Sequence, residues 1–155
     1  MSGSPALQRK AAEIWVQNKY PLSHALLAIP ARPGRDRIRV GYFSADFRNH
    51  PVALLTAELF ETHDRSRFEL TAFSYGPDTR DDVRKRAEAA FENFIDVRNK
   101  SDQEVALLAR SMGIDIAVDL GGFTEDSRTG LFAMRAAPLQ LSYIGYLGTM
   151  GAPYR

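Results

Sequence analysis

A histidine that directly precedes a proline is the residue of this sequence best suited to proton transfer or to hydrogen bonding with a substrate. His50 ends the stretch FSADFRNH, in which an apolar run stops at Ser44 and Pro51 opens a helical pattern. Because proline fits the first helical turn, Asn49 or His50 is predicted to be the N-cap of that helix. The N–H groups and positive dipole end of a helix start attract anions and favour a neutral imidazole, which can accept or donate a proton near pH 7. The alternative is that His50 only caps the helix and packs.

Two other stretches combine glycine with polar side chains. In DLGGFTEDSR (residues 119–128), the glycines let the backbone approach a ligand that Asp119 and Thr124 could orient. The alternative here is a glycine turn with Thr124 or Asp126 as a helix cap. In GYLGTMG (residues 145–151), three glycines and a threonine can present backbone N–H groups to a phosphate. This second loop matches neither the dinucleotide-binding fingerprint nor the P-loop, since no lysine follows it.

This sequence lacks the usual motifs of metal-dependent enzymes and of enzymes with a serine or cysteine nucleophile. The three histidines, His24, His50 and His63, do not have the spacing of metal ligands, and no D-x-D triplet is present to hold a metal–nucleotide complex. No G-x-S-x-G elbow occurs, and the lack of cysteine excludes disulfides and thiolate chemistry. We therefore expect a site with no metal and no other cofactor.

The elements that must position these loops alternate between strands and helices. The pattern predicts five strands, at residues 37–44, 68–76, 93–97, 114–120 and 139–146, and four helices, at residues 51–64, 79–91, 101–112 and 127–136. This alternation predicts an α/β fold, a Rossmann-like parallel sheet with helices on both faces. With the strand order 3-2-1-4-5, ligands bind between the carboxyl ends of the first and fourth strands. The polar loops follow the first, fourth and fifth strands, so they flank this crevice.

The amino-terminal part of the chain forms a separate segment in this interpretation. Residues 5–19 have helical spacing, and Leu7, Ala11, Ile14 and Trp15 fall on one stripe. We expect Trp15 to be buried against a partner, within or outside this chain. Proline, glycine and arginine in IPARPGRDR (residues 29–37) predict a linker. The sequence therefore divides into residues 1–35, a helix and linker, and residues 36–155, the α/β unit.

Composition narrows the classes of partner. The chain has 155 residues, is 45% hydrophobic and 25% charged, and carries a formal net charge of +1, so nothing in it favours nucleic acid or a membrane surface as a partner. No apolar run approaches the ~20 residues that span a bilayer. The amino terminus lacks the apolar stretch of a signal peptide. We expect a cytoplasmic protein.

Four ordered motifs carry a resemblance to a known family. S-x-D-F-x-N-H-P, G-[YF]-T, R-x-A-P-x-Q and G-Y-x-G-T-x-G occur in this order within residues 36–151, with a weaker match through RKAAEIW upstream. Together they resemble the O-linked N-acetylglucosamine transferase family, glycosyltransferase family 41, in its bacterial form with tetratricopeptide repeats. The resemblance implies a two-domain GT-B enzyme that moves N-acetylglucosamine from UDP-GlcNAc to serine or threonine hydroxyls of proteins, with inversion and without a metal.

The resemblance covers only the amino-terminal half of such a catalytic region. It implies that residues 36–155 are truncated at their carboxyl end, that helical repeats precede them, and that catalysis needs a missing carboxyl-terminal half-domain, so that the chain alone is inactive. Two alternatives stay open, a Spindly-like O-fucosyltransferase that uses GDP-fucose and a non-catalytic scaffold derived from a transferase half. A self-sufficient receiver-like module would need clustered acidic residues after the first strand and a lysine after the fifth, which this sequence lacks.

Carried over residue by residue, the resemblance implies a set of site residues. His50 would be catalytic, as an acid/base or by orienting substrate, and Thr124 would face the sugar or the acceptor. The loop from Gly145 to Gly151 would approach the donor phosphates, although Leu147 stands where the family usually has proline. The implied donor- and substrate-binding residues are Asn49, Asp119, Gly122, Thr124, Gly145, Tyr146, Gly148, Thr149 and Gly151.

Overall fold

The computed structural model describes residues 3–21, 26, 28–30 and 34–154, so His24 and residues 31–33 of the predicted linker lie outside it. The elements in chain order are α1 (Pro5–Lys19), β1 (Ile38–Ser44), α2 (Pro51–Thr62), β2 (Phe68–Ser74), α3 (Asp82–Ala90), β3 (Asn93–Asp96), α4 (Asp102–Met112), β4 (Ile116–Asp119), α5 (Thr129–Ala133) and β5 (Leu139–Ser142). Within the described ranges, no helix has both the length and the apolar character needed to cross a membrane.

The five strands form one parallel sheet in the order β3-β2-β1-β4-β5. The α/β class is as predicted from the alternation of strands and helices, and the strand order is the usual 3-2-1-4-5 order on which the predicted crevice was based. Strand β1 is central, and its Phe43 pairs with Phe73 of β2 on one side and with Asp119 of β4 on the other. The order of the strands reverses between β1 and β4, which places the predicted crevice at the carboxyl ends of these two strands.

Helices cover both faces of the sheet because successive side chains of each strand point to opposite sides. On one face, Tyr42 and Leu70 pack with residues of α2 and α3. On the other face, Phe43 and Phe73 stack with their ring centroids 4.4 Å apart, and Phe132 of α5 meets Phe43 edge-on at 5.3 Å. The strands are apolar on both sides, as buried parallel strands must be.

Most elements are shorter than predicted, and two of them, α5 and β5, end early at left-handed residues. Helix α5 has five residues because Arg135 adopts a left-handed conformation, with φ of 61°, directly after its C-cap. Strand β5 ends at Ser142 instead of residue 146, because Ile144 also has a positive φ of 60° and turns the chain. A non-glycine residue adopts such a φ only where the surrounding structure holds it there, so the local sequence carries no signal for these ends.

Helix α1 packs against the α/β unit through a side other than the predicted stripe. Its Val16 is 1% exposed and belongs to the core beneath α4 and α5. Leu7, Ile14 and Trp15 of the predicted stripe are each about half exposed. Periodicity therefore predicts the helix correctly. Within the described part of the chain Trp15 stays about half exposed, so its burial by a partner outside this chain stays a prediction.

A buried tyrosine makes the stability of the fold dependent on alkaline pH. Tyr42 is 4% exposed, and its hydroxyl is hydrogen-bonded at 2.8 Å to Nε2 of His63, whose own pKa is lowered by burial. Burial raises the pKa of Tyr42 to about 12. A raised pKa means that the stabilisation is complete below the ordinary value of about 10 and is lost as the pH rises through the folded value.

We therefore expect the free energy of unfolding to fall as the pH rises above 10. Urea denaturation at several pH values measures this directly. The matched variant Tyr42→Phe lacks the ionisable group and should show a shallower alkaline decline. Equal declines in the two proteins would contradict this assignment.

Candidate active site

The loops after β1 and β4 leave the sheet side by side. Phe43 and Asp119 are partners in the last register pair of these strands, and the N–H of Leu120 donates to the carbonyl of Phe43 at 3.0 Å. Residues 45–50 and 120–128 therefore begin at the same edge of the sheet, at the switch point of the strand order.

His50 is the N-cap of α2, as the position of Pro51 predicts. Its Nδ1 accepts a hydrogen bond from the N–H of Val52 at 3.3 Å, and 35% of its side chain is exposed. Nδ1 also lies 3.6 Å from Oδ2 of Asp46, which is too long for a hydrogen bond. Because Nδ1 acts as an acceptor, the neutral ring carries its proton on Nε2.

This tautomer defines what His50 can do chemically. Within the described part of the chain, Nε2 makes no hydrogen bond, so its N–H is available to a substrate oxygen. The ring is set as a hydrogen-bond donor, and it could act as a general base only after the proton moves to Nδ1 and the Val52 bond breaks. Of the two roles that the family resemblance implies, this geometry favours orientation of the substrate.

The loop that carries His50 is held by polar contacts at both of its ends. At the start, the N–H of Asp46 donates to Oγ of Ser44 at 2.9 Å. At the end, the N–H of Asn49 donates to Oδ2 of Asp81 at 3.0 Å. Asn49 is exposed, and only its backbone has a described contact of this kind.

Asp119 and Thr124 shape the loop after β4. Asp119 is 1% exposed, and its Oδ1 accepts from the N–H of Gly121 at 3.0 Å. The exposed Thr124 donates from Oγ1 to the carbonyl of Gly121 at 2.8 Å. Gly122 has a φ of 61°, and a Cβ there would lie 2.4 Å from Cβ of Tyr146. The carboxylate of Asp119 thus faces into the turn, whereas Thr124 stands at the surface where a ligand could reach it.

The loop after β5 uses some of its own backbone donors. The N–H of Gly145 donates to the carbonyl of Tyr143 at 2.8 Å, and the N–H of Gly151 donates to Oγ1 of Thr149 at 3.2 Å. The ring of Tyr146 packs edge-on against Phe123, with centroids 5.5 Å apart. The ends of this loop are therefore fixed internally, and the exposed stretch 147–149 is the part that can present backbone groups to a ligand.

A groove of about 970 Å³ runs between α1 and the loops after β4 and β5. It brings together four of the predicted site residues, which are Thr124, Tyr146, Gly148 and Thr149. A neighbouring cavity of about 630 Å³ adds Gly151. His50 and Asn49 line neither cavity and lie instead beside Asp81 at the start of α3.

Two contributions to this region were not predicted from the sequence. The first is the wall that α1 and its C-cap build with Trp15, Lys19 and Tyr20, where the ammonium group of Lys19 lies 4.7 Å from the centroid of the Trp15 ring. The apolar stripe on α1 indicated that this helix contacts another surface, but it did not show which surface. The second is Asp81, which reads in sequence as one of several charges in a solvated turn. Among the described residues, no group of three or more histidine and acidic side chains is arranged to hold a metal ion.

Known proteins share both the sequence pattern and the fold. The family model described as Glycosyl transferase family 41 matches residues 10–155. The probable UDP-N-acetylglucosamine–peptide N-acetylglucosaminyltransferase SEC of Arabidopsis thaliana is 36% identical over 135 residues, which is 86% of this chain and 14% of that protein. The UDP-N-acetylglucosamine–peptide N-acetylglucosaminyltransferase of Caenorhabditis elegans is 32% identical over 123 residues, 76% of this chain and 10% of that protein.

A solved structure extends the likeness to three dimensions. The K341M mutant of the O-GlcNAc transferase of Thermobaculum terrenum superimposes with a TM-score of 0.88 at 32% identity, over 97% of this chain and 29% of that one. The chain thus spans a small part of the relatives it matches, and that part is the sheet with its three polar loops. With the family model matched over nearly its whole length, the chain belongs to glycosyltransferase family 41.

Proposed function

We propose that this chain supplies the amino-terminal half of the active site of a protein O-GlcNAc transferase. The complete enzyme would transfer N-acetylglucosamine from UDP-GlcNAc to serine or threonine hydroxyls of proteins. The observation that carries the proposal is the superposition on the Thermobaculum terrenum O-GlcNAc transferase over 97% of this chain. The names of the plant and nematode relatives support the same donor and a peptide acceptor.

The proposed reaction is a single displacement with inversion. The oxygen of the acceptor hydroxyl forms a bond to the anomeric carbon while the bond from that carbon to the β-phosphate oxygen breaks, and UDP leaves with the electron pair. The hydroxyl proton departs with the diphosphate. His50 donates its Nε2–H to a substrate oxygen and fixes the angle of attack, since alignment of the reacting atoms is a large part of such a barrier. No metal or other cofactor takes part in this scheme.

The remaining residues of the site have positioning roles in this proposal. Thr124 faces the sugar or acceptor from the groove, and the exposed backbone of residues 147–149 approaches the diphosphate. Asp119 keeps the turn at Gly121 closed and so holds Thr124 in place. A carboxyl-terminal half-domain would close over these loops and hold most of the nucleotide. We place the protein in the cytoplasm, which is consistent with a chain that contains no cysteine.

A segment exchange tests the proposal. In the Thermobaculum terrenum transferase, the matching 29% of the chain is replaced by this chain, and incorporation of sugar into a polypeptide acceptor is measured with UDP-GlcNAc and, separately, with GDP-fucose. Transfer from UDP-GlcNAc supports the proposal. A folded exchange protein that binds UDP-GlcNAc but transfers nothing would favour the scaffold alternative. Transfer from GDP-fucose alone would favour a Spindly-like fucosyltransferase.

Titration of the chain by itself tests the division of the site between two halves. Backbone amide resonances are followed by NMR as UDP or UDP-GlcNAc is added. We expect only weak shifts, confined to residues 45–50, 120–128 and 143–151. Binding with a Kd on the order of 1 μM, worth about 8 kcal/mol, would show a complete nucleotide site in this chain and would contradict the proposed division.

A further inference from the structure

Asp81 joins the start of α3 to the loop that carries His50. Its Oδ1 accepts from the N–H of Arg84 at 2.8 Å and so caps the helix. Its Oδ2 accepts from the N–H of Asn49 at 3.0 Å and from the hydroxyl of Thr79 at 2.5 Å. One carboxylate therefore serves two structures that lie 32 residues apart in the chain.

This contact is the anchor of the loop to its surroundings. Within the described part of the chain, no other hydrogen bond or ion pair connects residues 48–50 to an element beyond β1, its loop and α2. Arg48 contacts Asp46 of the same loop at 3.3 Å, and His50 bonds within its own helix start. The Arg48–Asn49 peptide group, one residue before His50, is thus held from outside by the carboxylate of Asp81.

We infer that Asp81 is a positioning residue for His50, fixing the imidazole through the N–H of Asn49; its catalytic meaning rests on the proposed function. Without this bond, a rotation of the Arg48–Asn49 peptide would redirect the chain entering His50, swing the ring and break the bond from Val52 to Nδ1, which sets the tautomer. Hydrogen bonds from the Thr79 hydroxyl and from the Asn49 and Arg84 amides hold the pKa of Asp81 to about 2, so the anchor stays ionised at neutral pH. A charged acceptor makes a stronger hydrogen bond than a neutral one.

Two variants of Asp81 separate its role as an anchor from its role as a helix cap. Asp81→Ser keeps a good N-cap oxygen for Arg84 but has no second oxygen to reach Asn49. Asp81→Asn is nearly isosteric, and its single carbonyl oxygen cannot serve both amides. Ser101→Ala is the matched control, because it removes the N-cap of α4 and leaves the Asp81 contact intact.

The test is made by NMR on the 155-residue chain and needs no transferase activity. In Asp81→Ser we expect exchange of the Asn49 amide proton to accelerate roughly tenfold, the size of a lost charge-assisted hydrogen bond, and in Asp81→Asn we expect this acceleration at either the Asn49 or the Arg84 amide. The ¹⁵N shifts of the His50 ring should move from the Nε2–H pattern toward an average of the two tautomers. Ser101→Ala should change neither signal.

Unchanged Asn49 exchange and unchanged ring shifts in both Asp81 variants would overturn the inference. Failure of this inference and failure of the proposed function can be told apart. The NMR signals test whether Asp81 positions His50, whereas the segment-exchange protein tests sugar transfer. In an active exchange protein, Asp81→Ser should lower kcat more than it raises KM. An equal loss in Ser101→Ala would instead show a merely structural effect and would also overturn the inference.

Discussion

Replacing His50 with asparagine is expected to abolish most transfer by the segment-exchange protein while the fold stays intact. Asparagine is among the best N-cap residues, so its side-chain oxygen can take over the hydrogen bond from Val52 that Nδ1 accepts in the native chain. It cannot replace the Nε2–H, which in our proposal contacts the substrate. Loss of one preorganised hydrogen-bond donor lowers kcat by about 10²–10³-fold. Steady-state assays with UDP-GlcNAc measure the effect.

His50→Ala is the companion variant, because it removes the cap as well as the imidazole. It should lose activity to the same extent and, in addition, about 1 kcal/mol of unfolding free energy. His50→Asn should match the native stability within about 0.5 kcal/mol. Activity of His50→Asn within threefold of native would show that His50 is only a helix cap, which is the alternative interpretation of the NHP motif.

Replacing Gly145 with alanine is expected to destabilise the fold strongly. A Cβ at this position would lie 1.8 Å from the carbonyl oxygen of Leu120, which is backbone and cannot rotate away. The loop after β5 would have to separate from the end of β4, and with it Tyr146 from Gly122. This clash is more severe than in most overpacked cores, so we expect the free energy of unfolding to fall by more than ~3 kcal/mol.

Urea denaturation of the purified chain measures this loss. Gly34→Ala is the matched control, since no atom lies within 4 Å of the position that its Cβ would take. It should leave the unfolding free energy within about 0.5 kcal/mol of native. A Gly145→Ala protein as stable as Gly34→Ala would mean that the close approach of Gly145 to Leu120 is not a feature of the folded protein.

The sequence contains most of the information for the fold and part of the information for the site. The alternation of strands and helices predicted the parallel sheet, and Pro51 predicted where α2 begins. These features depend on local patterns that any buried parallel sheet must show. The ends of α5 and β5 were missed, because left-handed conformations at Arg135 and Ile144 depend on tertiary contacts.

The internal arrangement of the site depends on contacts between distant parts of the chain. Asp119 was expected to orient a ligand, and the structure turns its carboxylate inward onto Gly121. The partnership of Asp81 with Asn49 joins two loops that no spacing rule connects. Trp15 of α1 lines the groove because a different side of this helix packs against the core. Helical periodicity alone does not determine which side packs. The roles of His50, Thr124 and the loop after β5 stay predictions until they are assayed.

The central position of β1 has a consequence for synthesis of the chain on the ribosome. Val40 pairs with Leu70 on one side, so the half-sheet β1-β2-β3 can assemble as soon as residues 38–96 have emerged. The other edge of β1 cannot pair until Ile116 of β4 has also emerged. At roughly 5–20 residues per second, the strand stays open on that edge for several seconds, far longer than a strand takes to pair with a neighbour. During this interval Phe43 lacks its cover of α4 and α5, and the nascent chain is most exposed to aggregation and to capture by chaperones.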